Sequence, residues 1–165
     1  MLTGPADLRV GLGVDVHPVS GDAGRRLVLG GVVFEGGPPL AGHSDADVVA
    51  HALADALLGA AALGDLGQHF PDTDPRWAGA DSVALLAEVV RRVAGAGWHP
   101  VNADCTVVLE RPRLAPHRSA MQDRMTGALG APVSVKATRA EALGALGRGE
   151  GIACMAVALL ARVGP

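Results

Sequence analysis

Asp15-Val16-His17 stands in an apolar, strand-like run near the start of the chain, and His51 follows in an Ala/Leu-rich helical stretch. Side chains two apart on a strand point to the same face, so Asp15 and His17 can aim at one point. For His51 to reach that point, a helix must pack across the strand. The pattern therefore constrains the fold together with the chemistry. Two imidazoles and one carboxylate make a three-ligand Zn²⁺ site with the fourth position open, the arrangement of catalytic rather than structural zinc. Taken alone, D-x-H is a common pattern, and the competing reading is a turn-side Asp with two satisfied histidines. His43, Asp47 and His51, spaced four apart, form a rival ligand stripe along one helix face. The first-turn position of Asp47 argues against the stripe.

The rest of the chain reads as short strands alternating with helices. Arg9 to Val16 is a predicted strand. Arg26 to Leu29 and Val32 to Phe34, joined by Gly30-Gly31, form a predicted hairpin. Ser44 is a natural N-cap with Asp47 three residues on, which predicts a helix from about Asp45 to Ala61. Residues 62–80 hold Gly64, Gly67, Pro71 and Pro75 among several acids and read as a long irregular loop, a feature commonly functional. Asp81 to Ala96 is a second predicted helix. Val101 to Glu110 is strand-like, Arg111 to Pro116 a loop, and Pro116 suits the first turn of a helix reaching Leu129. Val133 to Ala137 is a further strand, Thr138 to Gly149 a polar connector, and Gly151 to Val163 a final helix. The expected fold class is α/β (α+β two-layer), with a mixed sheet and helices on one face. Residues 1–165 read as one domain, with no internal repeat and no linker.

Composition narrows the function. Lys and Arg total 14 against 17 Asp and Glu, for a formal charge of -3, and no basic run or aromatic interleaving favours nucleic acid. With two Phe, two Trp and no Tyr, the core must come from Val, Leu and Ala. The N-terminus lacks a signal-peptide layout, and acids and histidines break the apolar helices well short of a membrane span. Cys105 and Cys154 form no framework and read as buried free thiols of a cytoplasmic protein. Gly11-Leu12-Gly13 lacks the third glycine of a dinucleotide fingerprint, and Gly147 to Gly151 lacks P-loop spacing. Cys105 has no histidine partner in sequence, which argues against a cysteine nucleophile.

Two further clusters can carry chemistry. The acids of Gly64 to Asp74 either cap turns or position a polyol. Lys136-Ala137-Thr138-Arg139-Ala140-Glu141, at a strand end, suits a phosphate with a hard cation.

These stretches resemble the 2-C-methyl-D-erythritol 2,4-cyclodiphosphate synthase family from Arg9 to about Ala161. The marks are Gly13 to His17, Ala41 to Asp47, His51 to Gly67, Phe70 to Pro75, Lys136 to Thr138, Glu141 and Gly147 to Ala153. The resemblance implies a homotrimer with an active site at each subunit interface. Asp15, His17 and His51 would hold Zn²⁺. His43 and Ser44 would lie beside the phosphates, and Asp65, Leu66, Gly67 and Asp72 would hold the methylerythritol part. Ala137 and Leu109 to Ala115, including Pro112, Arg113 and Leu114, would line the cytidine pocket. Thr138, Arg139 and Glu141 would come from the neighbouring subunit, with Glu141 on a second cation, Mg²⁺ or Mn²⁺. His43, Asp65, Thr138 and Glu141 are the catalytic candidates, and Arg148 and Glu150 would lie near the threefold axis. The chain departs from the family where Arg139 replaces a frequent Thr and Arg113 a frequent Lys. It departs again where Leu12 replaces a His, Val14 a Phe, and Ala145-Leu146 a Phe-Thr pair.

The implied reaction is intramolecular. The 2-phosphate of 4-diphosphocytidyl-2-C-methyl-D-erythritol 2-phosphate attacks the β-phosphorus and CMP leaves. Cations would neutralise the meeting anions, and helix amides after Ser44 would assist. Two other classes share the residues: a zinc hydrolase of a small phosphorylated substrate, and a non-catalytic trimeric ligand-binding protein.

Overall fold

The computed structural model describes residues 8–162. The N-terminal residues 1–7, on which the signal-peptide reading partly rests, and Val163 lie outside the described residues. In chain order the elements are β1 (Leu8–Pro18), β2 (Leu27–Leu29), β3 (Val32–Phe34), α1 (Val48–Ala61), α2 (Leu66–His69), α3 (Ser82–Gly95), β4 (Trp98–Val108), α4 (Arg118–Leu129), β5 (Val133–Thr138), α5 (Gly144–Gly147) and β6 (Gly151–Arg162). One four-stranded sheet runs β1-β6-β4-β5. Its β4–β5 pair is parallel and the other two pairs are antiparallel, so the sheet is mixed as expected. Helices α1, α3 and α4 cover one face. Leu53, Leu57, Leu86, Met121, Met125 and Leu160 are fully buried between the layers.

The expected final helix is a strand. Gly151–Arg162 is β6, paired on both sides, with Leu12 opposite Val157 and Cys105 opposite Ala156. The run from Ile152 to Ala161 is apolar almost throughout, and such a run has no period that separates a buried strand from a helix. Its Ala and Leu content favoured helix, but central sheet pairing overrode that propensity.

The start of α1 also differs from expectation. Ser44 does not cap it. Ala46 has φ 61°, which interrupts any helix begun at Asp45. Asp47 is the N-cap instead, its carboxylate accepting from Val49 N and Ala50 N. The same carboxylate accepts from Gly30 N at 2.8 Å and Gly31 N at 2.6 Å, tying the β2–β3 hairpin to the helix. Those two glycines have φ 58° and 71°, as the predicted two-residue turn requires.

β1 inverts the usual alternation. Gly11 and Gly13 face the helices and are buried, while Val10, Leu12, Val14 and Val16 face outward and are more than half exposed. The inward glycines let α1 lie directly on the strand. A Cβ at Gly11 would stand 1.9 Å from the Ala56 carbonyl oxygen, and one at Gly13 would stand 2.0 Å from that of Ala52. Asp15 and His17 continue the same inward face towards the N-terminal turn of α1, where His51 sits.

Candidate metal centre and its pocket

Three side chains from two elements converge. His17 Nε2 lies 3.1 Å from Asp15 Oδ2, His51 Nδ1 lies 3.2 Å from the same oxygen, and the two nitrogens are 3.3 Å apart. Among the described residues these three form a cluster able to hold a metal ion. Their hydrogen bonds leave the converging atoms free to ligate. His17 Nδ1–H donates to the Ala41 carbonyl at 2.6 Å, so Nε2 carries the lone pair. His51 Nε2 meets Ser82 Oγ at 2.8 Å and Ser44 Oγ at 3.1 Å, leaving Nδ1 to face the cluster. Three donors separated by little more than 3 Å match the edges of a tetrahedron with bonds of about 2.0 Å. The donor set, two imidazoles and a carboxylate, fits a borderline-soft divalent ion.

The electrostatics agree. Burial opposes ionisation of Asp15, but hydrogen bonds and charge from His17 and His51 outweigh it and hold the carboxyl down at about 2. Burial likewise opposes protonation of His17, yet Asp15 and the Ala41 carbonyl raise its pKa above the ordinary value. These shifts belong to the metal-free site, where ring protons partner the Asp15 carboxylate; a bound cation would take the place of those protons.

The cluster opens into a cavity of about 650 Å³. Its walls include His43, Ser44, Asp65, Leu66, Gly67 and Asp72, so the structure brings these expected residues to the metal site. The rival stripe is taken apart: Asp47 is fully buried as a cap, and exposed His43 has Nε2 3.2 Å from the Asp74 carbonyl oxygen. Arg25 fixes the His43–Ser44 segment by donating to the Leu40 and Ser44 carbonyls at 2.8 and 2.6 Å. Asp65 caps α2 through Gln68 while lining the cavity. The loop is tied down by Asp55, which accepts from Leu66 N, and by Arg92, which donates to His69 Nδ1 at 2.6 Å. The helix amides expected to meet phosphate at the start of α1 are occupied, since Val49 N and Ala50 N both donate to Asp47.

The remaining expected residues gather elsewhere. Leu109, Pro112, Arg113, Leu114, Ala115, Ala137, Thr138 and Arg139 line a separate pocket of about 290 Å³. Arg148 lines a third cavity of about 880 Å³ with Arg113 and Arg139. Exposed Glu141, with φ 53°, does not line the metal pocket of its own chain. Arg139 pairs with Glu110 at 2.7 Å, and the other Glu110 oxygen accepts from Ala142 N. Lys136 is likewise paired, with Asp104. Sequence reasoning missed Ser82 and Asp45, which stand behind His51 from positions remote in sequence, and Asp55, which lies one turn after His51 on α1 and lines the cavity.

The YgbB family model matches residues 8–161. The bifunctional enzyme IspD/IspF of Anaeromyxobacter dehalogenans is 53% identical over 98% of this chain, which spans 45% of that relative's length. The 2-C-methyl-D-erythritol 2,4-cyclodiphosphate synthase of Moorella thermoacetica is 56% identical over 93% of this chain and 94% of its own. A solved 2C-methyl-D-erythritol-2,4-cyclodiphosphate synthase in a CDP-bound form is 38% identical, with a TM-score of 0.82, over 92% of this chain and 99% of that one. Matched along nearly its whole length in sequence and in fold, the chain belongs to the YgbB family, that of 2-C-methyl-D-erythritol 2,4-cyclodiphosphate synthase.

Proposed function

We propose that this chain, as a single domain over residues 1–165, converts 4-diphosphocytidyl-2-C-methyl-D-erythritol 2-phosphate to 2-C-methyl-D-erythritol 2,4-cyclodiphosphate and CMP in non-mevalonate isoprenoid synthesis. The observation that carries this reading is the convergence of Asp15, His17 and His51 at a cavity also walled by His43, Ser44, Asp65 and Asp72. Zn²⁺ is the metal that the donor set favours, and when bound it supplies Lewis-acid neutralisation of phosphate oxygens.

The protein's own task is positioning. The 2-phosphate oxygen must approach a diphosphate that is already anionic, and no protein nucleophile is needed. His43 and Ser44 flank the phosphates. Asp65, Leu66, Gly67 and Asp72 hold the methylerythritol hydroxyls, so that the two ends of the sugar meet in a folded pose. Leu109 to Ala115 and Ala137 take the cytidine, in keeping with the CDP bound by the solved relative. Thr138, Arg139 and Glu141 reach this site from a neighbouring subunit, with Glu141 holding Mg²⁺ or Mn²⁺. Arg148 lies towards the threefold axis.

A homotrimer is supported by two features. The outward face of the sheet is apolar, with Val10, Leu12, Val14 and Val16 on β1 beside Met155 and Val157 on β6, and monomers rarely leave such a face to water. The Thr138 to Glu141 cluster also lies apart from the metal pocket of its own chain. Among the described residues no helix is long and apolar enough to cross a membrane. The two buried free cysteines support a cytoplasmic location.

Turnover tests the reading. The purified chain, given zinc, Mg²⁺ and substrate, should release CMP. His17→Ala should lose most of that release while keeping its circular-dichroism spectrum. A metal-loaded wild type that releases no CMP would refute the proposal.

A further inference from the structure

His51 is backed by a chain of hydrogen bonds, buried at Ser82 and half-buried at Asp45, whose direction follows from its final acceptor. Asp45, as a carboxylate, can only accept. It accepts from Ser82 N at 3.1 Å through one oxygen and from the Ser82 hydroxyl through the other. The single Ser82 proton is therefore committed to Asp45, and Ser82 Oγ presents only lone pairs to His51 Nε2, 2.8 Å away. In the neutral, ligating imidazole Nε2 then carries the proton, and Nδ1 turns its lone pair towards Asp15 and His17. Ser44 Oγ, 3.1 Å from Nε2, could not impose this by itself, because a hydroxyl rotor can donate or accept. Ser82 is 1% exposed and His51 8%, so water does not compete for the bond between them.

We propose that Ser82 and Asp45 are positioning residues for the metal centre, selecting the ligating tautomer of His51 and fixing its ring. The inference rests on the reading of Asp15, His17 and His51 as metal ligands. The relay also joins the centre to the first residue of α3, while the capping of that helix falls to Asp81, whose carboxylate accepts from Val83 N. Loss of the Ser82 hydroxyl thus touches the ligand and leaves the cap in place. Partners of this kind behind a ligating histidine characteristically govern metal affinity about 10–100-fold.

Zinc Kd values from chelator competition on the full chain test this. Ser82→Ala should weaken zinc binding about 10-fold or more, Asp45→Asn should weaken it as well, and Ser82→Thr should restore it. The metal-free Ser82→Ala protein should melt within a few degrees of wild type, which separates positioning from folding. Tight wild-type binding that Ser82→Ala and Asp45→Asn leave unchanged would overturn the relay alone. A wild-type chain that takes up no zinc would overturn the metal reading and the relay with it.

Discussion

A methyl group added at Gly13 would stand 2.0 Å from the Ala52 carbonyl oxygen and 2.6 Å from Ala56 N. The strand and the helix touch backbone to backbone there, two residues before Asp15 on one element and one residue after His51 on the other. This contact sets the register of the metal cluster. Gly13→Ala should cost about 3 kcal/mol, the upper end of the usual overpacking range, because the obstructing atoms are backbone and cannot rotate away. Urea denaturation measures it, and a variant as stable as wild type would show that α1 does not lie on β1 this closely.

Asp47 separates the two possible ligand sets. Its carboxylate accepts from four backbone N–H groups, of Gly30, Gly31, Val49 and Ala50. Asp47→Ala orphans those donors and should destabilise the fold by about 3 kcal/mol or more. Asp47→Asn keeps an acceptor and should retain zinc at wild-type stoichiometry by elemental analysis. Zinc loss in a folded Asp47→Asn protein would revive the His43, Asp47 and His51 stripe.

Much of this was legible beforehand for physical reasons. The period-two spacing of Asp15 and His17 places both on one face of β1, and Gly30-Gly31 specifies a two-residue hairpin turn. The final strand β6 reads as a helix in sequence because its outward residues, Met155 and Val157 among them, are as apolar as its inward ones, which erases the alternation that marks a strand. The purpose of Gly11 and Gly13 was invisible because close packing of two backbones leaves only an absence of side chains. Ser82 stayed hidden since its partners, Asp45 and His51, are remote in sequence, and no local pattern links a helix start to a histidine on another helix.

The metal-free protein should show a pH window set by Asp15 and His17. The folded pKa of Asp15 is depressed from 3.8 to about 2, so its contribution is present above 3.8 and lost as pH falls towards 2. It amounts to about 2 kcal/mol. The folded pKa of His17 is raised above 6.5, so its contribution is complete below 6.5 and lost as pH rises through the folded value. Stability of wild type relative to Asp15→Asn, measured in EDTA by urea denaturation, should therefore be greatest between about pH 4 and 6.5. A difference that is flat across this range would contradict the pairing.

Assembly can be tested by sharing sites. Light scattering should give three chains per particle. His17→Ala and Glu141→Ala should each be inactive alone, and mixing them after dissociation should restore part of the activity through hybrid interfaces. Full activity in a monomer would end the trimer reading.

The central claim is ring closure, and phosphorus NMR of the reaction mixture tests it most directly. With zinc and Mg²⁺ present, the account predicts one CMP for each product molecule, and two mutually coupled phosphorus signals from a single ring with no separate monophosphate besides CMP. CMP accompanied by linear methylerythritol phosphates as the main products would contradict it and identify the chain as a hydrolase.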